Sequence, residues 1–290
     1  MKYTTLGRTG MKVSSIGFGG MPLSIHGRPV EAVSESVIRA ALEEGINLLD
    51  TADVYCLDDN DLGHNEKLFA SAIRSHQDRS SIVVTTKGGM RRPEGEWTRD
   101  GSPKHLRQAC ERSLRALGVD QIDLYQLHAP DPTIPFERSV EAMAELQREG
   151  KIRHVGLSNV NVNQIRLAAR IVEVVSVQNR LNPYFREAIH EGVTEECQSQ
   201  SITFLAYSPV GGKRLARKLH EFPVLKSLAK RRGASLHGIV LAWVRAKGNT
   251  VIPIPGASSV EHVQDSARSA AITLTSSEIA ELDRAEFSRA

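Results

Sequence analysis

NLLDTADVY, residues 47–55, is the stretch whose reading decides the fold. Its first part, Asn47–Asp50, is a short apolar run that ends in a carboxylate. A run that is brief and apolar on consecutive positions suits a strand buried on both faces. Upstream, Val33–Glu44 (VSESVIRAALEE) has helical period, with Val33, Val37, Ala40, Ala41 and Leu42 mostly on one stripe. Gly45 follows as the stop. The order is helix, glycine, buried strand, polar residue, and it recurs along the chain.

Working outward, the candidate strands are Ser15–Gly19, Asn47–Asp50, Ile82–Thr86, Ile122–Leu127, His154–Leu157, Ser176–Gln178, Thr203–Tyr207 and Thr250–Ile252. Helical segments lie between them. Leu106–Leu117 has Ser102 as N-cap, Pro103 at the first helical position and Gly118 as stop. Phe136–Arg148 ends at Gly150, Leu225–Arg232 and Leu236–Lys247 precede the last strand, and Ser277–Phe287 closes the chain. Eight alternations predict an α/β (β/α)8 barrel, a TIM barrel, as one domain over residues 1–290, rather than a doubly wound sheet. The opening YTTLGRTGMKVSS reads as a β-hairpin turned at Gly7 and Gly10, placed to close the bottom of the barrel. Extra helices are expected after strands seven and eight.

Composition agrees. The 290 residues carry 37 Lys and Arg against 34 Asp and Glu, and 40% are apolar, which argues against disorder and coiled coil. The net charge of +3 gives no sign of a nucleic-acid partner. MKYTTLGRTG lacks the apolar core of a signal peptide, and no apolar run approaches the ~18 residues of a membrane span. Cys56, Cys110 and Cys197 are too scattered for a disulfide framework or a metal site, so a cytoplasmic setting is expected.

Active sites of such barrels collect at the C-terminal ends of the strands. Strand two runs into Asp50, with Tyr55 five residues on; strand three (VVTTKGG) runs into Lys87; strand four (DLYQLHAP) runs into His128. Singly, each has a structural explanation: a turn-forming Asp, a half-buried Tyr, a Lys meeting water, a satisfied His. No structural need puts all of them on one rim. Together they suit proton transfer to a carbonyl. A phenol titrates near 10, a nearby ammonium lowers that value, and Lys87 supplies the ammonium. Asp50 pairs with Lys87, and His128 orients the carbonyl or shares the proton transfer.

The chain resembles the aldo-keto reductases over essentially its whole length. The resemblance rests on phrases in that family's order: LGRTGMKVSSIGFGG, NLLDTADVY, the Lys of TTKGG, the His of YQLHAPD, GKIRHVGLSN, VQN, AYSPVGG and VIPIPGASSVEHVQDS. It implies a tetrad on Asp50, Tyr55, Lys87 and His128, and a nicotinamide cofactor bound without a Rossmann motif. That cofactor is expected to be NADP, with NAD as the alternative. By resemblance, Ser158, Asn159 and Gln178 hold the carboxamide, and Gly19, Gly20 and Met21 lie near the ribose. Tyr207 can stack on the nicotinamide. Ser208, Pro209 and Val210 continue the loop, and Gly211–Gly212 permit close approach to the diphosphate. The PGASSVEHVQDS segment opens a helix after strand eight, an anion site, and offers Gly256, Ser258, Ser259, His262, Asp265 and Ser266. It lacks the Lys or Arg with which many relatives meet the 2′-phosphate; Lys213 and Arg214 are candidates to replace it.

The substrate side is expected to hold Trp97, from the long loop after strand three, and His26, from the loop after strand one, beside Tyr55 and His128. Aromatic residues are only 5% of the chain, which disfavours large polycyclic substrates. The expected partner is a small carbonyl compound, with no nucleic acid and no membrane, and the chain is expected as a monomer or weak homo-oligomer. The competing reading is a nicotinamide-binding sensor with little turnover.

Overall fold

A computed structural model of the chain describes residues 1–288; the sequence positions 289–290 lie outside the described residues. A hairpin of β1 (Tyr3–Thr5) and β2 (Lys12–Ser14) opens the chain. The barrel strands are β3 (Phe18–Gly19), β4 (Leu48–Asp50), β5 (Val83–Gly88), β8 (Ile122–Leu127), β9 (Ile152–Ser158), β10 (Val174–Arg180), β11 (Thr203–Tyr207) and β12 (Val251–Ile254). A second small hairpin, β6 (Met90–Arg91) with β7 (Thr98–Arg99), stands on the loop after β5. The eight strands pair in parallel, in chain order from β3 to β12. Gly17 N donates to Pro253 O at 2.9 Å and Gly19 N to Pro255 O at 3.0 Å, which joins the first strand to the last.

The helices are α1 (Glu31–Glu43), α2 (His64–Arg74), α3 (Pro103–Leu117), α4 (Phe136–Arg148), α5 (Val162–Ala168), α6 (Glu187–His190), α7 (Val193–Ser199), α8 (Gly212–Ala216), α9 (Pro223–Arg232), α10 (Leu236–Arg245), α11 (Val260–Arg268) and α12 (Ser276–Arg284). The α3 boundaries follow the sequence signals. Ser102 Oγ accepts from His105 N at 3.3 Å, Pro103 is the first helical residue, and Gly118 takes a left-handed φ of 67°. The last helix stops at Arg284 rather than Phe287, and Phe287 instead packs its ring 4.5 Å from that of Phe222.

Leu48, Val83, Leu124, Val175, Leu205 and Ile252 fill the lower barrel interior, and Leu6 and Val13 of the hairpin cover them. The hairpin is fixed there by hydrogen bonds. Gly7 N donates to Thr203 Oγ1 at 2.7 Å, and Ser14 N to Asn47 Oδ1 at 2.7 Å. Asn47, the first residue of the deciding stretch, thus ties the floor of the barrel while Asp50 ends the same strand at the rim.

Candidate functional site

Strands β4, β5 and β8 are neighbours, so their C-terminal residues converge. Lys87 Nζ donates to Asp50 Oδ2 at 2.7 Å, to Thr51 O at 2.7 Å and to the Tyr55 hydroxyl at 3.1 Å. The His128 ring meets the Tyr55 ring edge-on at 5.7 Å between centroids. The four side chains expected together are together. The structural alternative for Lys87, a strand end meeting water, does not hold: β5 runs past it to Gly88, and its side chain has no exposed surface.

Burial sets the electrostatics. It pushes the Tyr55 phenol well above 10, with the Asp50 charge adding to the effect. The expected net lowering by Lys87 is therefore overturned in direction, because desolvation of a phenolate outweighs one neighbouring ammonium. Burial lowers the Lys87 ammonium, against the opposing pull of Asp50. Burial first, and Lys87 second, hold His128 well below 6.5, so the ring is neutral. Its Nδ1 is buried without a hydrogen-bond partner.

Two glutamines support this centre. Gln178 Nε2 donates to Asp50 Oδ1 at 2.7 Å, and Gln126 Nε2 reaches the same oxygen at 3.4 Å and Thr85 Oγ1 at 2.6 Å. Sequence reasoning missed Gln126 and the Thr51 carbonyl. The signal for Gln126 was alternation along β8, which puts residues 124, 126 and 128 on one face.

Trp97 joins the site. The β6–β7 hairpin brings its half-exposed ring within 6.4 Å of Tyr55 and 6.5 Å of His128, centroid to centroid. Beneath it lies Arg92, also missed, whose guanidinium carbon is 4.0 Å from the Trp97 ring centre. Arg92 Nη2 donates to Cys56 O at 3.2 Å and Leu57 O at 3.0 Å, tying the Tyr55 loop to the Trp97 loop. His26 lies exposed in the β3–α1 loop.

Four of the residues expected around a cofactor, Ser158, Asn159, Gln178 and Tyr207, are joined to this centre by hydrogen bonds. Asn159 Nδ2 donates to His128 O at 2.9 Å, and Tyr207 donates its hydroxyl to Asn159 Oδ1 at 2.8 Å. Ser158 Oγ donates to Gln178 O at 2.8 Å. Asn159 and Ser208 hold left-handed backbones, with φ of 59° and 48°, where the chain turns out of β9 and β11. Pro209 is buried and Val210 packs on the core. Gly211 and Gly212 are left-handed in succession, and a Cβ on Gly212 would meet nothing within 4 Å, so that backbone borders open space. Lys213 and Arg214 follow, exposed, on α8. Gly19 and Gly20 have packing reasons of their own: a Cβ on Gly19 would stand 2.9 Å from Ile254 O, and one on Gly20 would overlap Phe69 and Asn65. Met21 is exposed beside them.

On the far side, Gly256 and Ser258 are exposed and Ser259 caps α11, accepting from His262 N at 3.4 Å. Asp265 and Ser266 lie in the second turn. Asp265 Oδ2 accepts from Ser235 Oγ at 2.6 Å, and Ser266 Oγ donates to His262 O at 2.9 Å. These two side chains are thus engaged within the fold. Among the described residues, no group of three or more His, Cys, Asp or Glu side chains could hold a metal ion, and no helix is long and apolar enough to cross a membrane.

Residues 15–286 match the model of the Aldo/keto reductase family. An uncharacterized oxidoreductase, C215.11c of Schizosaccharomyces pombe, is 36% identical over 278 residues, covering 94% of this chain and 87% of that protein. Among solved structures, the thermostable aldo-keto reductase Tm1743 in complex with the inhibitor epalrestat is 30% identical, with a TM-score of 0.84 over 98% of this chain and 99% of that one. An aldo/keto reductase from Klebsiella pneumoniae in complex with NADP and acetate is 29% identical, with a TM-score of 0.81 over 98% and 95%.

Proposed function

Because the chain belongs to the Aldo/keto reductase family, we propose that it reduces a small aldehyde or ketone to the alcohol, with NADPH as the hydride source. The observation that carries the reading is the contact of Lys87 Nζ with both the Asp50 carboxylate and the Tyr55 hydroxyl, beside a neutral His128. The cofactor fits the rim on two observations: the open backbone at Gly212 and the amide side chains of Asn159 and Gln178 set beside Asp50 and His128. A bound nicotinamide supplies hydride to the carbonyl carbon.

The chain's own residues manage the proton. Tyr55, held protonated by burial, gives its hydroxyl proton to the carbonyl oxygen as the alcohol forms. The phenolate left behind accepts a hydrogen bond from Lys87, which stabilises charge where it develops. Asp50 fixes the ammonium, and Gln178 and Gln126 fix Asp50. His128 Nδ1 is buried without a partner, so the other ring nitrogen, in the tautomer that carries its proton, is the one that meets a substrate oxygen. Trp97 walls the pocket. Ser158, Asn159, Gln178 and Tyr207 hold the nicotinamide. Lys213 and Arg214 supply charge for the 2′-phosphate. Three free, buried thiols suit a reducing cytosol, where the enzyme works as a monomer or weak homo-oligomer.

The test combines fluorescence titration with NADPH and NADH and a panel of small aldehydes. The expected result is tighter NADPH binding and steady-state oxidation of NADPH. In Tyr55→Phe, kcat should fall by at least ~10²-fold with cofactor binding retained, as for loss of a general acid. Near-normal turnover in that variant, or cofactor binding without turnover of any carbonyl, would overturn the reading; the second outcome is that of a sensor.

A further inference from the structure

Behind the strand that carries Lys87 lies a charged cluster that the reaction above does not use. Thr86 and Lys87 are consecutive on β5, so their side chains leave opposite faces of the strand. Lys87 meets the rim; Thr86 meets the helical layer, where its Oγ1 donates to Glu66 Oε1 of α2 at 2.6 Å. Asp53, two residues before Tyr55, has its Oδ2 at 3.3 Å from Arg112 Nη2 of α3. Asp53 and Glu66 have no exposed surface. Asp53 Oδ1, Glu66 Oε2 and Arg112 Nε are buried without a hydrogen-bond partner. Arg112 is thus paired with Asp53 and acts on Glu66 only through its charge. Two buried negative charges against one positive charge are costly unless a proton or another cation balances them. Lys87, on the next residue of β5 and the opposite face of the strand, is a further buried cation that acts on Glu66.

We propose that Asp53 and Glu66 are positioning residues, a buried carboxyl pair whose negative charge keeps the Lys87 ammonium charged against its own burial. The proposal rests on the role given to Lys87 and Tyr55 above. The electrostatics run both ways across the strand. Burial first, then the Glu66 charge, pushes the Asp53 carboxyl up to about 8, against Arg112. Burial also raises Glu66, opposed by the Thr86 and Ser113 hydroxyls, Arg112 and Lys87. At Lys87, Asp50, Glu66 and Asp53 all oppose the lowering by burial. Asp59, Asp61 and Arg92 lie near Asp53 around Cys56, His105 faces Arg112, and several other groups beside the pair are held neutral by burial. Burial pushes the Cys56 and Cys110 thiols up to about 12 and the Tyr125 phenol well above 10. On the rim side, Tyr55 is also raised and His128 is neutral. As pH rises, the pair loses its proton, and the new charge delays loss of the Lys87 proton.

The experiment uses the isosteric variants D53N and E66Q in the full chain. With NADPH and an aldehyde that the wild type reduces, the alkaline limb of the kcat/KM profile should move to lower pH by about half a unit or more in each variant, as removal of a nearby opposite charge requires. Separately, in the protein without cofactor, the Lys87 side-chain carbon resonance, assigned by its loss in K87M, should titrate at lower pH in D53N than in wild type. An unchanged Lys87 titration in a folded D53N or E66Q overturns the proposal, as do superimposable alkaline limbs. Failure of the wild type to reduce any carbonyl would instead remove the functional reading, and the resonance experiment would still decide whether the pair acts on Lys87.

Discussion

A lysine with no exposed surface is uncommon unless paired, and Lys87 is paired three times, to a carboxylate, a carbonyl and a phenol. The same desolvation that lowers Lys87 raises Tyr55 and neutralises His128. For His128 the sign of the pH dependence follows directly. Its folded pKa is depressed, so on acidification the unfolded chain binds the proton first, near pH 6.5, and the folded state loses stability below that pH. Urea unfolding at pH 7.5 and pH 5 should therefore show a smaller acid loss in His128→Gln than in wild type. The difference reaches at most about 2 kcal/mol, the figure for a ring that stays neutral in the folded state across those 1.5 pH units below the unfolded pKa. Equal losses in the two proteins would mean that the ring takes up its proton in the folded state. Asp50, Tyr55, Lys87 and His128 were legible in sequence because each ends, or follows closely, an apolar run. The reversal at Tyr55 was not, since the balance between an ammonium and desolvation depends on how much solvent the fold excludes.

The elements that sequence reading omitted are those with weak local signals. Helices α5 to α8 span only four to seven residues, too few for helical period to stand out. Helix α2 is longer, yet it follows a left-handed Gly63 rather than a Ser, Thr, Asp or Asn cap, so its start carries no polar mark. Its apolar positions Leu68, Phe69 and Ala72 were the available signal. The β6–β7 hairpin has two residues per strand, below what alternation can reveal. That hairpin matters most for substrate, because it carries Trp97 over Arg92 and edge-on to the reacting side chains. Trp97→Ala should raise KM for an aromatic aldehyde roughly fivefold with little change in kcat, since an aromatic pair is worth ~1 kcal/mol beyond its area. Steady-state kinetics decide it. A fall in kcat at constant KM would show that the ring holds Tyr55 and His128 in place rather than the substrate.

At the scale of the whole molecule, eight strands read from the sequence are the eight strands of the barrel, while the contact that closes it was hidden. Closure depends on Gly17 and Gly19 meeting Pro253 and Pro255, the two ends of the chain, and no local pattern encodes so distant a pairing. The hairpin at the floor was legible, because glycine turns with flanking β-rich residues are a short-range signal. Its position separates stability from chemistry. Leu6 has no exposed surface and packs with Leu48, Val83, Leu124, Val175, Leu205 and Ile252, at the end of the barrel opposite the Lys87 cluster. Barrels of this kind place chemistry at the top and leave the bottom to hold the fold together. Leu6→Ala removes buried methyl groups from a site braced by the Gly7–Thr203 and Ser14–Asn47 hydrogen bonds, which resist collapse into the space. The expected cost is about 2–5 kcal/mol of stability, read as a lower midpoint in urea. The kcat/KM per folded molecule should stay at the wild-type value, because β4, β5 and β8 still deliver Asp50, Lys87 and His128 to the rim from their own ladders. A loss of kcat/KM in proportion to the loss of stability would show that the floor and the rim are one mechanical unit, and that the hairpin sets the geometry of the site as well as the closure of the core.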